Sequence, residues 1–441
     1  MTSLRTFEPP CGPVIGHVDG PVIRARGIPY ARAPRFGIPA PVTDWNAQYD
    51  AAEPSPASPQ LASPALEEVL GSSLGSLPQS EDCQNLSVTL PADVRPGEAL
   101  PVMVWIHGGS YVSGAGDMAI QDPTALVAEQ RVIVVAVSYR LGLLGYLGTP
   151  SGRPANLGLL DQILAFRWVQ RNIAAFGGDA RNVTAFGQSA GADAVAHAMA
   201  TPGATALFAR AIIQSAPLGI VRGRGQLSAA MGEAADAVGA DASIDDLLLA
   251  QPLVAQKSAS YGLRGAMAFG TQYGHVPLPP ESGIDRAWDA VAPRIPILIG
   301  HTSEEARLFI PSFPALGTLI RKPVIGSLVF RLANRYLTGA VYGRSSLAFA
   351  RRHSRAGGTA HHYVLTFGAP GNEFGAAHTM DLPFLFGDEA TWKHATLLTG
   401  AQWSDVERGA RQVRQLWGDF ARGADLGRRG AVEGVLSYRR V

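Results

Sequence analysis

Two uninterrupted apolar runs, Leu100–Ile106 (LPVMVWI) and Val132–Ser138 (VIVVAVS), constrain the fold more than any other feature of this 441-residue chain. A strand with one face in water alternates apolar and polar residues. A run without alternation suits a strand buried on both faces, as in a parallel sheet with helices on either side. The next stretch supplies a helix: Leu160, Ile163, Leu164, Trp168, Val169 and Ile173 recur at helical spacing within Leu157–Phe176, which stops at Gly177-Gly178. Val183–Phe186 reads as a strand, 190–200 as an Ala-rich helix and Ala211–Gln214 as another strand. Strand, helix and strand in that order predict an α/β protein with a parallel sheet. Ile295–Ile299 and Tyr363–Phe367 add strands, residues 221–290 and 305–352 read as mainly helical, and 403–422 as a last helix. The first 50 residues break into short apolar runs punctuated by Gly and Pro, which predicts small antiparallel strands.

Residues 51–80 are rich in Pro, Ser and Ala and show no sustained period. They are expected to form a long loop, mobile or poorly packed. With 37 cations against 36 carboxylates the net charge is +1, so no basic face for nucleic acid is expected. Two cysteines, Cys11 and Cys83, cannot make a disulfide framework. The first ten residues lack the apolar run of a secretory signal, and no stretch approaches the ~20 apolar residues of a membrane span. A cytoplasmic protein without a membrane partner, monomeric or homodimeric, is the expectation.

Serine is a weak nucleophile until a base takes its proton and donors stabilise the oxyanion. A Gly-x-Ser-x-Gly elbow between a strand and a helix exposes the hydroxyl and lets the backbone pass closely on each side. With 50 glycines the chain can meet this pattern by chance, and it meets it twice. Gly71-Ser72-Ser73-Leu74-Gly75 lies in the Ser/Pro stretch with no strand before it, and reads as a linker. Gly187-Gln188-Ser189-Ala190-Gly191 follows a strand and opens a helix, so Ser189 is the candidate nucleophile. Upstream, Trp105-Ile106-His107-Gly108-Gly109-Ser110-Tyr111 directly follows a buried strand. It is either a plain Gly turn or a loop whose N–H groups, with that of Ala190, face a developing oxyanion.

By these residues the chain resembles the type B carboxylesterases, which include para-nitrobenzyl esterases and cholinesterases. Further matches are Arg26-Gly27-Ile28-Pro29-Tyr30-Ala31, Ser80-Glu81-Asp82-Cys83, Ser138-Tyr139-Arg140-Leu141-Gly142, Asn156–Gln162 and Phe176-Gly177-Gly178-Asp179. The resemblance implies an α/β-hydrolase fold over 1–441 as one domain, with a mostly helical pocket-forming region at about 221–360. It also implies a Ser–Glu–His triad. Register on Gly300-His301-Thr302-Ser303-Glu304-Glu305-Ala306 puts the acid on Glu305, and Ala377–Gly387 makes His378 the base. Gly109, Ser110 and Ala190 match the oxyanion donors, with Ser110 where the family has Gly or Ala. Ser215 matches a supporting serine, although a strand-end turn cap accounts for it nearly as well. Arg35–Glu81 and Arg140–Asp161 match structural ion pairs. His107 is expected to be structural, His301 to border the pocket, and His361 and His362 to flank a strand. The family cysteine matched by Cys83 often closes a disulfide over the preceding loop, but residues 51–80 hold no partner.

The function implied is a serine carboxylesterase acting on small uncharged esters, with no metal or cofactor. The alternatives are a carbamate, amide or lactone hydrolase with the same triad, and a non-catalytic scaffold of the same fold. A preference for short acyl or compact aryl esters is expected on three grounds. These are the short segment between Glu305 and His378, the Ser110 hydroxyl, and the lack of a segment that reads as an amphipathic interfacial lid.

Overall fold

The computed structural model describes residues 3–72, 76–95, 97–312, 320, 322 and 325–441. Its main sheet contains β1 (Leu4–Phe7), β2 (Val14–Asp19), β3 (Val22–Pro29), β4 (Asn85–Pro91), β5 (Leu100–Ile106), β6 (Ile133–Val137), β7 (Gly178–Gln188), β8 (Arg210–Gln214), β9 (Ile297–Thr302), β10 (Ala360–Leu365), β11 (Arg429–Val432) and β12 (Leu436–Arg440). Their order is β1-β2-β3-β4-β6-β5-β7-β8-β9-β10-β12-β11, with the short strand Tyr49–Asp50 beside β2. From β6 to β10 every neighbour is parallel; the remaining pairings of the twelve strands are antiparallel, and Tyr49–Asp50 runs parallel to β2.

The uninterrupted apolar runs are the centre of this sheet. In β5, Val102, Val104 and Ile106 enter one core while Met103 and Trp105 enter the other, so both faces are dry. Helices that cover the sheet or rise above its strand ends include α1 (Pro64–Leu70), α2 (Leu157–Asn172), α3 (Ala190–Ala198), α4 (Gly225–Asp236), α5 (Ile244–Gln256), α6 (Ile284–Val291), α7 (Gly326–Thr338), α8 (Arg344–Arg355) and α9 (Trp403–Arg422). The Arg140 guanidinium grips buried Asp161 with two bonds of 2.8 Å, and Arg35 grips Glu81 at 2.8 and 2.5 Å. Removing one partner of the buried pair would strand a charge in a dry site.

Three sequence expectations change. Among the described residues of 51–80, Ser55, Ala57, Ser58, Gln60, Val69 and Leu70 are buried rather than poorly packed, and Gln60 bonds the backbone of Gly114 through both ends of its amide. Hydrogen bonds to the loop after β5 do the work that periodicity does elsewhere. Of the second Gly-x-Ser-x-Gly match, Ser73 to Gly75 lie outside the described residues. His361 and His362 lie within β10 rather than beside it. An amphipathic helix does exist in 305–352: α7 buries Asn334, Leu337 and Thr338 and exposes Leu328, Leu332 and Tyr336. β11 and β12 were not anticipated; they form an antiparallel hairpin on the sheet edge. Both cysteines are free and buried, and burial pushes the Cys83 thiol up to about 12. No helix among the described residues is long and apolar enough to cross a membrane.

Candidate active site

Ser189 sits between β7 and α3 with φ 58° and ψ −124°, a conformation that a non-glycine residue adopts only when its surroundings enforce it. The enforcement is local. Ser189 N–H donates to Gln214 O at 2.8 Å, continuing the β7–β8 ladder, and its own carbonyl accepts from Asp193 N–H in the first turn of α3. A Cβ on Gly191 would stand 2.0 Å from Ile106 O, and one on Gly187 2.7 Å from the same oxygen, so both flanking glycines are required by close backbone approach.

The β5 exit loop faces this elbow. Gly109, Ser110 and Tyr111 have φ of 108°, 55° and 62° in succession. A Cβ at Gly109 would meet Ser113 O at 2.0 Å. Among the described residues no backbone acceptor takes the N–H of Gly109 or Ser110, and Ala190 N–H opens α3 with no acceptor inside the helix. The Ser110 side chain is exposed, while His107 is buried, stacked 4.3 Å from the Tyr139 ring, and held down to about 4 by burial. His107 Nδ1–H then donates to Gly108 O at 2.8 Å, a structural contact.

Glu305 is fully buried in the turn after β9, and its Oε2 meets His378 Nδ1. Thr302 N–H donates to its Oε1 at 2.7 Å. Burial works to raise the Glu305 carboxyl, but His378, Ser215 and His301 together hold it below the usual carboxylate range. Ser215 Oγ contributes there without meeting the geometry of a hydrogen bond. Glu304 turns the other way, to Arg307 at 2.7 Å and to Ala376 N–H at 3.2 Å. His301 is half-buried, its ring centre 5.4 Å from that of His362, and burial pushes its imidazole down.

The expected continuous chain from Ser189 to Glu305 is not closed. Nε2 of His378 faces the Gln188 side-chain amide at 3.2 Å, and no hydrogen bond joins it to Ser189 Oγ. Phe309 and Tyr342 flank the imidazole, ring centres 5.1 and 5.2 Å away. These contacts were missed in the sequence because they come from a neighbouring position and from helices with no motif.

A second missed element lies under the loop. Tyr111 OH donates to Asp193 Oδ2 at 2.7 Å, and Asp193 Oδ1 lies 3.2 Å from His197 Nδ1. All three side chains are buried. Asp193 is on α3, whose first N–H belongs to Ala190, so one carboxylate ties the glycine loop to the elbow helix.

A sheet with a parallel centre whose strand ends deliver an elbow serine, a buried acid and a histidine, in that chain order, defines the α/β-hydrolases. Within that class, residues 6–320 match the carboxylesterase family, and the chain belongs to it. It is 38% identical over 423 residues to a probable N-octanoylanthranilate hydrolase of Rhodococcus erythropolis, covering 95% of this chain and 92% of that one. It is 35% identical over 417 residues to the para-nitrobenzyl esterase of Bacillus subtilis, covering 86% and 82%. A solved thermophilic para-nitrobenzyl esterase superposes with a TM-score of 0.79 at 30% identity, over 95% of this chain and 91% of the other. The protein is a carboxylic ester hydrolase of the type B group.

Proposed function

We propose that Ser189, His378 and Glu305 hydrolyse uncharged carboxylic esters through an acyl-enzyme. The observation that carries this reading is the Glu305–His378 pair set beside a serine held in a strained elbow. Ser189 Oγ attacks the acyl carbon while His378 Nε2 takes the hydroxyl proton. The N–H groups of Gly109, Ser110 and Ala190 receive the oxyanion, and the imidazole then protonates the departing alcohol. Water, deprotonated by the same imidazole, cleaves the acyl-enzyme and restores Ser189. For this the His378 ring must exchange Gln188 for Ser189 while it stays between Phe309 and Tyr342. Ser215 supports the acid. The reaction as proposed needs no cofactor.

The relative named for N-octanoylanthranilate supports a second reading, cleavage of an aryl amide by the same residues. It also weakens the short-acyl expectation, which has lost one of its three grounds with the discovery of an amphipathic helix in the pocket-forming region. Labelling with a fluorophosphonate, followed by peptide mass mapping, should place the adduct on Ser189. Measuring kcat/KM for p-nitrophenyl esters from C2 to C12 beside N-octanoylanthranilate ranks the readings. Each methylene that is buried adds ~0.8 kcal/mol, so a rise through C8 favours the octanoyl-type substrate and a fall after C4 the short-acyl one. No adduct on Ser189 and no turnover of any ester would overturn the assignment.

A further inference from the structure

Residues 306–372 hold nine of the chain's 37 cations and none of its 36 carboxylates. In a chain of net charge +1 this leaves the rest acidic and concentrates positive charge on one part of the pocket-forming region. Arg307 is neutralised by Glu304, and Arg352 by Asp285 and Asp289. Arg331, Arg335 and Arg344 meet no carboxylate among the described residues and are exposed. They line one groove of about 800 Å³ with Leu332, Tyr336 and Glu304, whose carboxylate is taken up by Arg307.

The same surface is apolar to an unusual degree. Ile325, Leu328, Leu332 and Tyr336, spaced at helical intervals along α7 and its N-cap, are 46–61% exposed. They are four of the ten large apolar side chains that stand exposed among the described residues. Arg331 and Arg335 alternate with them on one helix face, and α7 contains no acidic residue.

We propose that the outer face of α7 is a peripheral docking surface for an anionic lipid bilayer. Charge selects the partner: unpaired guanidinium groups suit lipid phosphates. The apolar stripe selects it further, because Leu328, Leu332 and Tyr336 gain by entering the boundary between headgroups and acyl chains, whereas a nucleic acid or a purely acidic surface leaves them exposed. Spanning is not required; the helix lies in the interface. The inner face of α7 reaches the acid turn, since Thr338 Oγ1 accepts from Ala306 N–H at 3.1 Å, next to Glu305. Docking therefore sets the candidate active site one helix away from the lipid, where amphiphilic substrates concentrate. The proposal does not depend on the ester chemistry.

The test is flotation of the full chain with phosphatidylcholine vesicles, with and without phosphatidylglycerol, at low and high salt. The wild type is expected to float with the anionic vesicles at low salt and to remain behind with neutral ones. R331A/R335A is expected to partition about 25-fold less, at roughly fivefold per charge, and R331K/R335K like the wild type. L328S/L332S is expected to lose roughly tenfold or more by removing buried apolar contact. Thermal melting and p-nitrophenyl acetate turnover, expected to be unchanged in all three variants, report that the fold is intact. Absence of wild-type flotation overturns the proposal. So does anionic binding that L328S/L332S retains in full, which marks simple ion exchange of the kind an acidic protein or nucleic acid would exploit.

Discussion

The side-chain amide of Gln188 donates to Nε2 of His378 over 3.2 Å, so the residue beside the elbow serine occupies the nitrogen that the proposed reaction needs. An imidazole that donates from Nδ1 to Glu305 accepts at Nε2, and the amide fixes that tautomer. Replacing Gln188 with Ala frees Nε2 for Ser189, and kcat should change by less than about tenfold in either direction. Gln188→Glu instead sets a carboxylate against Nε2 and favours the protonated ring. The acid limb of kcat/KM should then move to higher pH. An unmoved limb in the pH–rate profile of Gln188→Glu would count against the contact.

Glu304 and Glu305 are adjacent in sequence but face different partners. Glu305→Gln should lower kcat by roughly 10³–10⁴-fold, because the imidazolium loses its counter-charge and the ring its tautomer. Glu304→Gln should cost less than about threefold, since it breaks a part-exposed ion pair. Steady-state kinetics on the two variants decide between the glutamates; the reverse ranking would refute the assignment.

Tyr111→Phe removes the bond to Asp193 while leaving the ring in place. Two consecutive non-glycine residues with positive φ, Ser110 and Tyr111, then lose that brace and are held by packing and by backbone bonds such as Gly142 N–H to Tyr111 O at 2.7 Å. A fall in kcat of about tenfold with KM nearly constant is expected, because a loosened loop weakens transition-state binding specifically. Affinity for a trifluoromethyl ketone should fall in parallel. Loss of thermal stability with unchanged kcat would show that the bond only braces the fold.

Asp381, buried beside Gln214, has its carboxyl raised by burial to about 6. A raised carboxyl in the folded state means that stability is lost as pH climbs from the unfolded value near 4 towards 6. Asp381→Asn keeps an acceptor for the Gln214 amide, which donates to Asp381 Oδ2 at 2.6 Å, and removes the buried charge. Denaturant titrations should show the variant more stable near pH 7 by ~2 kcal/mol and no different near pH 3. Glu305 acts in the opposite sense: held below the usual range, it adds stability at neutral pH that disappears on acidification.

Local rules made the central sheet and the elbow legible. The runs at 100–106 and 132–138 lack alternation because both faces of their strands are covered. Gly187 and Gly191 are required by a backbone oxygen 2.0–2.7 Å from any Cβ. Such features are set by neighbours in sequence or by a steric demand at one position. Register against a family pattern further singled out Glu305 and His378. What only tertiary structure decided involves residues far apart in the chain whose partners carry no local signal. Gln60 reaches Gly114, Asp193 reaches Tyr111, Tyr342 lies against His378, and the packing of 55–60 follows from hydrogen bonds to a distant loop. The charge imbalance of 306–372 is present in the sequence, but its meaning depends on which face of α7 is turned to solvent. Packing of Leu337 and Thr338 beside the acid turn sets that orientation, and with those side chains buried Leu328, Leu332, Arg331 and Arg335 stand exposed.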